Sequence, residues 1–124
     1  MKKVLLVDDE PHVINVLSLF LKKNGYEIHS ANNGQQALDK LVENNPDFII
    51  TDIQMPKMTG QDLCETVNLK FPDPNRQFIV MTSRTDSELR AWANSHENII
   101  FMEKPLSPRK LVAKLRELSS NINH

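Results

Sequence analysis

The sequence predicts an α/β domain built on an open parallel sheet, and three observations carry that reading. The apolar runs at residues 4–7, 48–51, 78–81 and 99–102 are short and continuous rather than alternating, the pattern of strands buried on both faces. Between the strands lie segments with apolar residues at helical spacing, so strand and helix alternate five times along the 124 residues. That alternation fits right-handed crossovers with helices covering both faces of the sheet. Each apolar run also ends in polar residues: Asp8-Asp9, Asp52, Thr82, and Glu103-Lys104-Pro105. In an open parallel sheet such ends share the edge at which ligands bind.

The elements follow in order. Residues 3–7 form the first strand. Pro11 suits the first turn of a helix, in which Val13, Ile14, Leu17, Phe20 and Leu21 recur at helical spacing. Asn24-Gly25 stops it. Residues 27–31 alternate in polarity, as an edge strand does. Asn33-Gly34-Gln35-Gln36 starts the second helix, with Ala37, Leu38, Leu41 and Val42 as one apolar stripe and Asn44-Asn45-Pro46 as its end. After the strand at 48–51, a third helix from about Thr59 to Phe71 buries Leu63, Cys64 and Val67. Pro72-Asp73-Pro74-Asn75 is a turn-rich connection to the fourth strand. Thr85 and Glu88 have capping-box spacing ahead of Leu89, Trp92 and Ala93. Ser107-Pro108 caps a last helix lined by Leu111, Leu115 and Leu118. Residues 119–124 are polar and are expected to fray.

Composition narrows the function classes. The length argues for one domain with its own core. Hydrophobic residues make up 40% and charged residues 25%, and 15 basic against 16 acidic residues leave a net charge of −1. That balance gives no electrostatic case for direct nucleic-acid or membrane binding. Cys64 is the only cysteine, which excludes an internal disulfide and is compatible with a reducing cytoplasm. No segment approaches the ~20 apolar residues of a membrane span. The four residues of apolar sequence before Asp8 are too few for a signal peptide.

The polar strand ends imply a chemistry. If the strands carrying Asp8-Asp9 and Asp52 are neighbours, three carboxylates crowd one cleft. Two such charges ~4 Å apart repel by roughly 4 kcal/mol at an effective dielectric near 20, so either their pKa values rise or a hard cation sits among them. An all-oxygen set favours Mg²⁺. A carboxylate so neutralised can attack phosphorus, with the Lys104 ammonium and the Thr82 hydroxyl placed to meet phosphoryl oxygens. Taken singly, these residues have plainer readings: Asp8-Asp9 as turn and cap residues, Thr82 as a strand-end hydroxyl, and Lys104-Pro105 as an exposed strand terminus. Their joint occurrence favours the chemical reading. Asp47, Asp62 and Asp86 read as local caps, Cys64 as small core filler, and Trp92 as a partly buried helix anchor. His12, His29, His96 and His124 lack metal-ligand spacing.

Asp8-Asp9, the segment Asp52-Ile53-Gln54-Met55-Pro56-Lys57-Met58-Thr59-Gly60, Thr82-Ser83 and Lys104-Pro105 together resemble the receiver domain of two-component response regulators. The likeness covers essentially the whole chain: residues 1–120 as the receiver domain and 121–124 as a polar tail. It implies a flavodoxin-like (βα)5 three-layer sandwich with a five-stranded parallel sheet of order 2-1-3-4-5, the order that the chemotaxis receiver illustrates. That order makes the first and third strands neighbours. It implies Asp52 as phosphoacceptor, with Mg²⁺ held by Asp9, Asp8, Asp52 and the backbone carbonyl of Gln54. Lys104 would contact the phosphoryl group through a loop whose bond to Pro105 is cis. Thr82 would swing toward the phosphoryl oxygen and Phe101 would turn inward as the switch aromatic, although a buried aromatic in such a strand can equally be plain core. A surface of the fourth helix, fifth strand and fifth helix would then change by population shift.

The implied partners are a sensor histidine kinase or histidine phosphotransfer protein and an output protein at that surface, with a phosphorylation-dependent homodimer as a further possibility involving Trp92 or Arg90. The protein would be cytoplasmic and not an enzyme beyond its own phosphorylation and dephosphorylation, whether stand-alone or part of a longer regulator. Gln54 and Arg84 stand where side chains border the phosphoryl group and influence its hydrolysis. Before the fifth strand, Asn94-Ser95-His96-Glu97-Asn98 replaces a Gly-Ala step common in the family, and an asparagine is expected to supply the left-handed backbone. Three other readings compete. A phosphorylation-independent receiver-like module predicts loss of an acidic, Thr or Lys position, and none is lost. An aspartate-based phosphohydrolase usually has a second aspartate two residues after the nucleophile, and that position is Gln54. A nucleotide-binding flavodoxin-like protein lacks its glycines: the chain has three, with no G-x-G-x-x-G or P-loop spacing.

Overall fold

A computed structural model describes residues 2–83, 87–104 and 106–122, with side chains described through 119. Its elements are β1 (Lys3–Val7), α1 (Pro11–Lys23), β2 (Glu27–Ala31), α2 (Gly34–Asn44), β3 (Phe48–Asp52), α3 (Gly60–Lys70), β4 (Gln77–Thr82), α4 (Ser87–Asn94), β5 (Ile99–Glu103) and α5 (Pro108–Ile122). The strands form one parallel sheet of order β2-β1-β3-β4-β5. The expected fold class and strand order are therefore observed, with β2 at an edge as its alternation predicts.

The continuous apolar strands divide their side chains by parity. Leu5, Val7, Ile49, Phe78 and Val80 pack with Ala37, Leu41, Leu63, Cys64, Val67, Leu89 and Ala93, so α2, α3 and α4 cover one face. Val4, Leu6, Phe48, Ile50, Ile79 and Met81 pack with Leu17, Leu21, Leu111 and Leu115, so α1 and α5 cover the other. Two cores on one central sheet require strands that are apolar on both faces.

Local chemistry sets the helix ends. The Asn33 side chain accepts the Gln36 N–H at 2.9 Å, and Thr59 with Asp62 forms a reciprocal capping box at α3. Asn45 ends α2 in the left-handed conformation at φ 40°, and Gly25 turns the chain after α1 at φ 91°. The Ser107 hydroxyl accepts the Lys110 N–H at 3.4 Å at the start of α5.

Tertiary neighbours changed several expectations. Val42 is 74% exposed, because the buried stripe of α2 is centred on Ala37 and Leu41 and turns Val42 outward. The Asp47 carboxylate does not cap locally; it accepts the backbone N–H of Lys3 at 2.8 Å and ties β1 to the chain entering β3. Neither Asn94 nor Asn98 adopts positive φ. The link to β5 instead closes through Ser95 and His96, whose N–H groups donate to the carbonyls of Ala91 and Ala93 at 3.0 and 3.2 Å. Helix α5 runs on to Ile122, into the segment read as a tail. The capping role of Thr85, the local role of Asp86, the side chain of Arg84 and the bond to Pro105 lie outside the described residues.

One buried side chain gave no signal in the sequence. Arg76 is 3% exposed and donates to the carbonyls of Pro46 at 3.1 Å and Phe71 at 2.6 Å and to the Asn45 side chain at 2.9 Å. It fastens the loops at the edge of the sheet opposite the polar strand ends. Burial pulls its pKa below the usual arginine value, against the opposing pull of Asp73 and Asp47.

Candidate functional site

The sheet order brings the predicted residues together. The parallel register sets Val7 beside Thr51, so Asp8 and Asp52 leave adjacent strands side by side at the C-terminal edge. Thr82 ends β4, next to β3, and Lys104 follows β5, next to β4. Lys104 crosses the cleft: its Nζ lies 3.0 Å from Asp52 Oδ2 and 3.4 Å from Asp8 Oδ2. The backbone places it there, because the Lys104 N–H donates to the Thr82 carbonyl at 2.8 Å.

The two central carboxylates are held alike. Asp8 Oδ1 accepts the Glu10 N–H at 2.9 Å, and Asp52 Oδ1 accepts the Gln54 N–H at 3.3 Å. These are the i to i+2 bonds that aspartates favour where a strand turns. Each carboxylate thus has one oxygen tied to its own loop and one facing the ammonium. Both are buried, at 1% and 6% exposure, and Thr82 is buried with them. Asp9 and Glu10 are exposed at the rim, yet oxygens of Asp8, Asp9, Glu10 and Asp52 all lie within 4.8 Å of one another. Glu10 is the member that the sequence reading did not single out. Its place directly after the aspartate pair was the available signal.

Among the described residues two buried carboxylates face one ammonium, an excess of negative charge. Burial raises the Asp8 pKa above its ordinary value; the Glu10 N–H and Lys104 pull it back, and Asp52 pushes it up further. For Lys104, burial works toward a lower pKa, but its bond to Asp52 and the charges of Asp52 and Asp8 outweigh that and hold the ammonium above its usual range. Oxygen donors alone, crowded and over-charged, are the donor set that a hard divalent cation satisfies.

The loop after Asp52 is shaped by its own residues. A Cβ on Gly60 would collide with the Asp52 carbonyl oxygen and press on the backbone of Ile53. Only glycine lets α3 begin that close, and there the Gly60 N–H donates to the Ile53 carbonyl at 3.0 Å. Lys57 takes φ 70° in a tight turn closed by the Met58 N–H on the Pro56 carbonyl at 2.8 Å. Gln54 is exposed and borders a cavity of about 640 Å³ together with Asp9, Thr59, Thr82, Glu88 and Leu89. A second cavity of about 450 Å³ lies behind Lys104 against His12, Val13 and Val16 of α1.

Two sequence-predicted residues outside the cluster are also placed. Phe101 is partly buried on the α4 side of the sheet. Trp92 is partly buried against the core, as expected of a helix anchor, and its indole N–H donates to Glu65 of α3 at 2.8 Å. The Cys64 thiol is fully buried, and burial pushes its pKa up, in keeping with core filler. Among the described residues no helix is long and apolar enough to cross a membrane.

Comparison with known proteins agrees with this geometry. Residues 4–116 match the sequence profile of a family described as the response regulator receiver domain. The chain is similar to the Vibrio cholerae chemotaxis protein CheY4, with 30% identity over 95% of this chain and 98% of that one and a TM-score of 0.87. It is similar to a CheY-like receiver domain protein from Methanospirillum hungatei, with 25% identity over 99% and 97% and a TM-score of 0.89. A two-component response regulator from Clostridium difficile, 23% identical over 100% of both chains with a TM-score of 0.91, shares the fold.

Proposed function

The chain belongs to the response regulator receiver family, and from that premise we propose that Asp52 accepts a phosphoryl group from a phosphohistidine on a sensor kinase or phosphotransfer protein. The observation that carries this reading is the contact of Lys104 Nζ with Asp52 Oδ2 at 3.0 Å inside a buried acidic cleft. An ammonium fixed beside the attacking carboxylate is also beside the oxygens of an incoming phosphoryl group.

Each residue has a defined task. An Asp52 oxygen forms the new bond to phosphorus as the bond from phosphorus to imidazole nitrogen breaks. Lys104 neutralises charge on the phosphoryl oxygens, and Thr82 offers a hydroxyl at the end of the adjacent strand. Gly60 keeps the backbone of Asp52 in place. Asp8, Asp9, Asp52 and the Gln54 carbonyl would hold Mg²⁺, with Glu10 at the rim. Bound there, Mg²⁺ supplies positive charge that offsets both the crowded carboxylates and the phosphoryl oxygens.

The protein acts as a switch rather than on an external substrate. Thr82 and Phe101 would transmit phosphorylation to the face of α4, β5 and α5, where an output protein or a second copy binds. A cytoplasmic location fits this exchange, since the single cysteine, Cys64, is compatible with a reducing compartment. A phosphohydrolase reading is disfavoured by Gln54, which cannot act as a general acid. Intact mass after incubation with acetyl phosphate tests the proposal: an adduct of about 80 Da is expected in wild type with Mg²⁺, and none after chelation or in Asp52→Asn. No adduct from acetyl phosphate or from phosphohistidine donors would favour a phosphorylation-independent interaction module.

A further inference from the structure

Arg90 of α4 touches the residues that the proposed switch would have to move together. Its guanidinium carbon lies 5.5 Å from the centre of the Phe101 ring, and one of its terminal nitrogens donates to Glu103 Oε1 at 3.1 Å. Phe101 and Glu103 are two residues apart on β5 and so share the face turned to α4. Glu103 is the register partner of Thr82. The next residue, Lys104, holds Asp52 and is bonded through its backbone to Thr82. The same guanidinium therefore contacts the switch aromatic and the strand position that flanks both side chains assigned to the phosphoryl oxygens.

The far side of α4 is anchored separately. Trp92 donates to Glu65 of α3 at 2.8 Å, and Asn98, just before β5, donates to Asn68 of α3 at 3.0 Å. Leu89 and Ala93 seat α4 in the core beside Ile99, and Arg90 adds a contact from α4 to the outer residues of β5.

We propose that Arg90 is a latch that holds the Phe101 ring in its partly exposed setting while Asp52 is unphosphorylated. This rests on the phosphoacceptor reading and deepens it; Arg90 is a positioning residue that acts through Phe101. A cation over the face of a ring favours the ring staying there, and the ion pair with Glu103 fixes the guanidinium plane. Inward rotation of Phe101 removes the aromatic partner. A shift of Lys104 toward a phosphoryl group moves Glu103 and loosens the other partner. The latch therefore biases the two packings, and phosphorylation has to outweigh it. Both charged side chains are more than half exposed, at 54% and 57%, so the bias is small and weakens with added salt.

The test is aromatic NMR of unmodified protein labelled at phenylalanine, with contacts between the Phe101 ring and the Thr82 methyl as the readout. In R90A the inward population is expected to rise about fivefold, the ratio that corresponds to ~1 kcal/mol, and in E103Q, which keeps the guanidinium over the ring, it is expected to rise by a smaller factor. R90K keeps a cation but not the planar guanidinium and is expected to fall between wild type and R90A, whereas a purely helical role would leave R90A unchanged, because alanine favours helix at least as well as arginine. Phe101 signals unchanged in R90A, with a native amide spectrum, overturn the proposal. If R90A does not fold, E103Q decides alone, and an unchanged ring there overturns it equally. Failure of the phosphoacceptor reading shows separately, as absence of the adduct in wild type, because the NMR comparison needs no phosphorylation.

Discussion

Replacing Asp8 with asparagine removes a buried charge and keeps its shape, including the oxygen that accepts the Glu10 N–H at 2.9 Å. Desolvation of the carboxylate costs several kcal/mol. A neighbouring Asp52 oxygen within 4.8 Å adds repulsion of about 3 kcal/mol at an effective dielectric near 20. The Lys104 contact at 3.4 Å returns about 5 kcal/mol on the same basis. The balance stands against the charge, as the raised pKa of Asp8 requires. Asp8→Asn is therefore expected to stabilise the metal-free protein at neutral pH, because it removes a buried charge whose pKa is raised chiefly by burial. For an acid whose folded-state pKa is raised, the folded state binds the extra proton, so its penalty is full above the folded pKa and disappears as pH falls toward the unfolded value. The advantage of the variant should shrink accordingly on acidification. Mg²⁺ bound at the cleft would offset that advantage: wild type would gain about 1.4 kcal/mol at ten times Kd, and the variant much less. Urea denaturation with EDTA or Mg²⁺ at two pH values measures all of this. A variant less stable than wild type in EDTA, or one with an undiminished response to Mg²⁺, would refute the electrostatic reasoning.

Other substitutions test other parts of the structure. Gly60→Ala drives a methyl group into the Asp52 carbonyl; it should cost about 1–3 kcal/mol in urea and lower the yield of phosphorylated protein. Arg76→Met leaves three buried or half-buried acceptors without their donor, and a loss of at least about 3 kcal/mol is expected in thermal unfolding, with the acidic cleft unaffected. Lys57→Gly relieves the positive φ of 70° and should raise the urea midpoint by the equivalent of about 1 kcal/mol, whereas a β-branched residue there should lower it.

The site was legible because its residues end apolar strands. Asp8, Asp52, Thr82 and Lys104 are each fixed by where a run of buried residues stops, and the parallel sheet aligns those stops. The helices were legible from periodicity and caps, as Asn33, Thr59 and Asn45 show. What escaped was set by neighbours distant in sequence. Asp47 meets Lys3 across 44 positions, and Arg76 looks like a surface charge beside prolines until the loops it fastens are in place. Trp92 and Arg90 lie on one short helix, yet one turns to α3 and the other to β5; apolar periodicity alone does not distinguish those directions. Val42 had the hydropathy of a core residue and the wrong angle on its helix.

Borohydride reduction of phosphorylated protein converts an aspartyl phosphate to homoserine, and peptide mass spectrometry then reports which aspartate carried it. After transfer from a phosphohistidine donor with Mg²⁺, homoserine is expected at position 52 alone, and none in Lys104→Met at early times. Homoserine at Asp8 or Asp9, or phosphate retained on another residue type, would contradict the assignment of Asp52 as phosphoacceptor.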